Sequence, residues 1–166
     1  MLRSVSWNQA NGLDSRYTRV KGVRVMDTLK ITEITHAFRK GFEIQKDQGL
    51  LPNRLEDFPS GCCGVASELL GHYLNTQHGL KAEYICGERD GLTHAWLELD
   101  GVVIDITGDQ FDGRPPVFMA AKDEWYTSWE EASRSFAVHV PTGWNYGELA
   151  VLDAVLSTVG LPNSRA

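Results

Sequence analysis

Three residues of this chain have the types and spacing for acyl chemistry: Cys63, His94 and Asp105. A thiol beside an imidazole is an activated nucleophile. A carboxylate behind the imidazole fixes its tautomer and steadies the cation formed when the ring takes the proton. The placement of the last two follows from a turn. THAWLEL and VVIDIT flank Asp100-Gly101, and Asp-Gly is a strong two-residue hairpin signal because both positions tolerate positive φ. Leu99 then faces Val102, Trp96 faces Asp105 and His94 faces Thr107. Side chains alternate along a strand, so His94, Trp96, Asp105 and Thr107 share one face. His94 and Asp105 become diagonal neighbours, roughly 7–8 Å apart at the backbone and within side-chain reach. A slip of one residue separates them. Such a pair also serves as a plain buried polar contact, so by itself it leaves both readings open.

The cysteine shifts the balance. Cys63 lies in SGCCGVASELL, at the expected start of a helix. The unpaired N–H groups and partial positive charge of a helix N-terminus lower a thiol pKa and can hold a developing oxyanion. Gly61 and Gly64 leave room for a substrate backbone. Cys62, one residue away, reads as a small packing residue, with an exchange of roles between the two cysteines as the alternative. Cys86 falls in an expected strand and reads as buried. Trp96 either shields the His–Asp pair from water or is ordinary sheet packing. Asp109 and Gln110, just past the hairpin, either line the site or cap a turn, and Gln110 has the further reading of a donor to an oxyanion.

The elements that must hold these residues are legible in outline. Leu29, Ile31, Ile34, Ala37, Phe38, Gly41, Phe42 and Gln45 recur at helical steps, predicting a helix from about Asp27 to Gln48, stopped by Gly49. A loop with Pro52 and Pro59 follows. A second helix is expected from Gly61 or Cys62 to about Gln77, with Val65, Ala66, Leu69, Leu70, Tyr73 and Leu74 as its apolar stripe and Gly79 as its stop. Residues 81–87 read as a strand and 88–92 as a loop before the hairpin. Residues 117–119 and 136–140 are further strand candidates, and 128–134 and 147–159 read as helices. Helices, then an antiparallel sheet, then more helix make an α+β layout. Trp125, Tyr126, Trp129, Trp144 and Tyr146 enrich the C-terminal third in aromatics, mostly for packing, with one or two available to wall a substrate groove.

The whole chain is 166 residues with net charge −6. That length suits one domain. Residues 1–30 carry six Lys or Arg against two Asp or Glu, and the remainder carries ten against twenty. The layout is therefore a basic arm over residues 1–27, whose plain reading is a poorly ordered leader, and one catalytic domain over 28–166. An acidic body argues against a nucleic-acid partner. No long apolar run predicts a membrane span, and no apolar h-region predicts a secretory signal. The three cysteines, two adjacent, do not form a disulfide framework, which fits a reducing, cytoplasmic setting. Cys62, Cys63, Cys86, His72, His78 and His94 lack zinc-site spacing. His36, His72, His78 and His139 read as surface or packing residues. No metal and no nucleotide cofactor is expected.

FPSGCCGVAS and HAWLELDGVVIDITGDQF together resemble the transglutaminase-like branch of the papain-like cysteine protease superfamily, in particular small bacterial transglutaminase-like proteins. The likeness covers residues 58–111, about a third of the chain. It implies a nucleophile at the N-terminus of a helix packed on an antiparallel sheet that carries His and Asp, with Cys63, His94 and Asp105 as the triad. The chain departs from named branches of the superfamily. Val65 stands where papain-like proteases have an aromatic, Asp57 where they have the oxyanion glutamine, and Gly64 where eukaryotic-type transglutaminases have tryptophan. An arginine-rich lead-in typical of arylamine N-acetyltransferases is absent. The expected activity is a thiol-dependent hydrolase that cleaves or deamidates an amide or isopeptide bond of a protein or peptide through a thioester. The alternatives are an acyltransferase with the same triad and a non-catalytic interaction module or secreted effector on the same fold. The oligomeric state is not legible.

Overall fold

Two Asp-Gly turns organise the sheet. At Asp100-Gly101 both φ angles are positive, 50° and 83°, and Leu99 pairs with Val102. At Asp90-Gly91 they are 52° and 77°, and Arg89 pairs with Leu92. The segment 88–92 is therefore a second tight hairpin and not the loop expected, because Asp-Gly closes it with the twist that antiparallel strands need. The computed structural model describes residues 25–142 and 147–163. The expected basic arm lies almost wholly outside the described residues, as do Trp144 and Tyr146.

The chain runs α1 (Val25–Asp47), α2 (Cys63–His78), β1 (Glu83–Arg89), β2 (Leu92–Leu99), β3 (Val102–Asp105), β4 (Phe118–Ala121), α3 (Glu124–Thr127), β5 (Glu130–Phe136) and α4 (Glu148–Thr158), with short 3-10 turns at Asn53–Leu55 and Gly108–Gln110. The fold is α+β. Its five strands form one sheet in the order β4-β3-β2-β1-β5, with every neighbouring pair antiparallel. No helix among the described residues is long and apolar enough to cross a membrane.

Helix α1 buries Ile31, Ile34, Phe38 and Phe42 as the periodicity predicts, whereas Leu29, placed in that stripe by its spacing, is exposed at the first turn. Gly49 ends the region at φ 67°, and Gly79 caps α2 in the left-handed conformation. The sheet then divides the apolar residues by parity. One face carries Leu97, Leu99 and Ile104, which join Leu69, Leu70, Tyr73, Phe38 and Leu152 of the helices in the main core. The other face carries Ile85, Trp96 and Val103, covered by Tyr126 and Trp129. Gly71 lets α2 approach: a Cβ there would come within 2.9 Å of Leu97 and closer to Ala137.

Residues 128–134, expected as a helix, largely form β5. EEASRSF has helix-forming composition, but its backbone is hydrogen-bonded along β1, and tertiary pairing overrides local propensity. The strand is exposed along its whole length and studded with charge, as edge strands need to be. Arg134 pairs with Glu131 on its own strand, Glu83 on β1 and Glu98 on β2. Strand pairing is therefore displaced from 136–140 to Glu130–Phe136, and residues 137–140 continue outside the sheet.

Candidate active site

Cys63 is the first residue of α2 and is half-buried. Its sulfur interacts with His94 and with the backbone N–H groups of Ala95 and Gly64. The hairpin explains the second of these. Leu97 and Leu99 direct their N–H groups toward β3 in a two-residue hairpin, so Ala95 directs its own to the same side. Pairing with β3 has stopped at Leu97–Ile104, and the Ile106 carbonyl is taken by Arg39 at 2.8 Å. The Ala95 N–H therefore faces a notch in the sheet, and the N-terminus of α2 inserts Cys63 there. Ser67, one turn further, fastens the helix with a 3.2 Å hydrogen bond to the Ala95 carbonyl.

His94 and Asp105 are both fully buried, with Nε2 and Oδ2 2.7 Å apart. Nδ1 is left for the thiol. Asp105 is surrounded by donors. Its Oδ2 also accepts from the Tyr126 hydroxyl at 2.8 Å, and its Oδ1 accepts from the N–H and hydroxyl of Thr107 at 2.8 and 3.1 Å. The imidazole is enclosed by Trp96, Phe111, Trp125 and Trp129, with centroids 5.1–5.8 Å away. Gly87 makes that enclosure fit, since a Cβ there would press within 2.7 Å of Trp96 and 3.0 Å of Trp129.

The charges follow. Burial alone would push the Cys63 thiol up, but the hydrogen bond and charge of His94, with the two backbone N–H groups, bring it below its ordinary value. Burial likewise favours a neutral His94, yet the hydrogen bonds to Asp105 and Cys63 raise it to about 9. The two shifts run in opposite directions, the thiol down and the imidazole up, and each favours the charged form of its group. Cys62 is the opposite case. It is buried, its sulfur donates to the Ser60 carbonyl at 3.3 Å, and burial, followed by the neighbouring Cys63 and Asp57, pushes its thiol up to about 11.

The remaining expected residues are spread about this centre. Gly61 is exposed at φ 67°, immediately before the helix. Gly64 is half-buried beneath a phenol: a Cβ there would sit 3.3 Å from the Tyr84 hydroxyl. Trp96 is buried beside His94 and donates to Glu98 at 3.1 Å. The Gln110 amide lies 3.3 Å from His94 Nδ1 and donates to the Thr107 carbonyl at 2.9 Å. Asp109 is held by both guanidinium nitrogens of Arg39, at 2.7 and 2.8 Å. Cys86 is half-buried, not buried, on the helix-covered face.

Sequence reasoning missed Tyr84, Tyr126, Arg39 and Arg114. Tyr126 donates to the triad carboxylate, and Arg114 lies over the Tyr126, Trp125 and Phe118 rings while pairing with Asp123. Only the second Asp-Gly turn offered a signal for any of these, because it sets Tyr84 opposite Leu97. Away from the triad, Glu68, His139 and Glu148 bring potential metal-ligand atoms within 4.8 Å of one another. There His139 contacts both carboxylates and Arg54 contacts Glu148.

A hydrogen-bonded carboxylate, an imidazole and a cysteine at a helix start are thus brought together at one place in the fold. No protein-family model, curated protein or solved structure matches the chain.

Proposed function

We propose that this protein is a papain-like, transglutaminase-like cysteine hydrolase that cleaves or deamidates an amide or isopeptide bond in a protein or peptide. The observation that carries the reading is the buried His94–Asp105 pair at 2.7 Å with the half-buried Cys63 thiol on the remaining side of the ring. Cys63 attacks the carbonyl carbon, and the C=O electron pair moves onto oxygen. The tetrahedral intermediate collapses to a thioester as the amine leaves with the proton from His94. Water, deprotonated by His94, then attacks the thioester and returns Cys63 as thiolate. Asp105 keeps the ring oriented in both halves. Water needs no dedicated second site, so hydrolysis is the preferred ending over transfer to an amine. Three cysteines left as free thiols fit a reducing compartment, which supports a cytoplasmic location.

The test is intact-protein mass spectrometry with an activated ester such as p-nitrophenyl acetate. The wild-type protein should gain one acetyl group on Cys63 and release it on standing. Cys63→Ala should gain none while keeping its circular-dichroism spectrum and melting temperature. Acetylation at the wild-type rate in Cys63→Ala would exclude the assignment. Addition of a primary amine separates the endings, because an accelerated release with amide product identifies an acyltransferase.

A further inference from the structure

The proposed chemistry needs a donor for the oxyanion, and the helix N-terminus supplies only part of one. Tyr84 lies on β1 with its ring on the helix-covered face. Its hydroxyl reaches over Gly64 and lies in the electrostatic field of Cys86, Cys63 and Glu68. Among the described residues this hydroxyl makes no hydrogen bond, although the residue is only half-exposed. A phenol hydroxyl with no protein partner keeps its O–H for a bound group. Its proton is tightly held, since burial and then the nearby cysteines push its pKa up, so it is a donor throughout the working range.

Gln110 is the competing donor. Its amide is already committed to the Thr107 carbonyl and rests against the imidazole. That places it on the side of the thiol from which the leaving group is protonated. Tyr84 comes from the other side. His94 belongs to the face of the sheet that carries Ile85 and Trp96, whereas Tyr84 pairs with Leu97 on the helix-covered face. A carbonyl attacked by Cys63 must present its leaving group to the base and its oxygen away from it. The side away from His94 is where the phenol stands.

We infer that Tyr84 is a catalytic residue whose hydroxyl, together with the Cys63 N–H, donates to the oxyanion formed when the thiolate adds to the substrate carbonyl. The inference rests on the hydrolase reading above. Gly64 is part of the device, because any larger residue there would meet the hydroxyl. In the reaction with p-nitrophenyl acetate the C–S bond forms as the carbonyl electron pair moves to oxygen, where Tyr84 and the backbone hold it. The C–O bond then breaks, p-nitrophenolate leaves, and the thioester remains.

The experiment compares two reactions of the same thiol in wild-type protein, Tyr84→Phe and Gln110→Ala. Alkylation by iodoacetamide displaces iodide and creates no oxyanion, whereas acetylation by p-nitrophenyl acetate does. For Tyr84→Phe the acetylation rate should fall about 100- to 1,000-fold, as for loss of one oxyanion donor, with the alkylation rate and its pH profile within about twofold of wild type. Acetylation of Tyr84→Phe within about threefold of wild type overturns the inference, as does a parallel loss of both reactions, which marks a structural role. A loss carried by Gln110→Ala alone assigns the donor to the amide and also overturns it. A wild-type protein that alkylates but is never acetylated sinks the hydrolase reading itself, and the role of Tyr84 with it.

Discussion

At the scale of the residue, the Cys63–His94 pair is one proton shared between two groups with opposite shifts. In the unfolded chain the ring ionises near 6.5 and the thiol near 9.0. Taken alone, the His94 contribution to stability is full below 6.5 and is lost as pH rises through about 9. The Cys63 contribution has the opposite sense, present above 9.0 and lost as pH falls through the lowered folded value. Between 6.5 and about 9 the histidine contribution falls with pH while the thiol contribution rises, so the two slopes oppose each other. Denaturant titrations over that window should give a shallower pH dependence in wild type than in Cys63→Ala. In Cys63→Ala only the histidine remains, still raised by Asp105, and stability should fall as pH rises. A Cys63→Ala protein with no such fall would mean that His94 is not charged in the fold.

At the scale of the element, the site depends on a turn that α1 holds in place. The chain leaves β3 at Asp105 and turns through Gly108–Gln110, placing Thr107 on Asp105 and Gln110 beside His94. Arg39 of α1 binds both oxygens of Asp109 and the Ile106 carbonyl, and Glu43 steadies it one turn on. Arg39→Met should cost about 2 kcal/mol, below the full penalty of a broken buried pair because Asp109 is partly exposed. Acetylation of Cys63 should slow as well, since the turn loses its anchor. Chemical denaturation checks the first effect and the mass assay the second. This link was hidden in the sequence because Arg39 and Asp109 are 70 positions apart and nothing local marks either. The His–Asp pair was legible because one turn fixes its register. Tyr84 sits on an equally readable hairpin, but the charged run around the Asp90-Gly91 turn that places it resembles a loop. Tyr126 reaches Asp105 across 21 positions with no pattern between them.

At the scale of the whole molecule, the sheet separates a face covered by the helices from a face that encloses His94. Parity along β2 assigns Leu97 and Leu99 to the first and His94 and Trp96 to the second. The α+β class and the helix cores were readable from period and stop signals. β5 was not, because its composition favours helix and only its place beside β1 makes it a strand. Gly71 lies about two turns along α2 from Cys63, so packing can be damaged there while the enclosure of His94 on the other face stays intact. Gly71→Ala forces α2 away from Leu97 and Ala137, at a cost of about 1–3 kcal/mol. It should lower the melting temperature by several degrees and leave iodoacetamide labelling of Cys63 at the wild-type rate. A loss of labelling in proportion to stability would show that the two faces are coupled through the helix.

The closed cage around His94 has a consequence for how the protein presents itself to reagents. Cys63 keeps part of its surface in solvent, while the fully buried imidazole is enclosed by four aromatic rings and the carboxylate behind it is held by Tyr126 and Thr107. In a chemical survey of a cell extract the chain would register as a single unusually fast cysteine, with histidine-directed electrophiles finding nothing at the base. Inhibitors would have to be slender thiol-seeking warheads, and their selectivity would come from the surface around Gly61 and Gly64 rather than from the buried machinery.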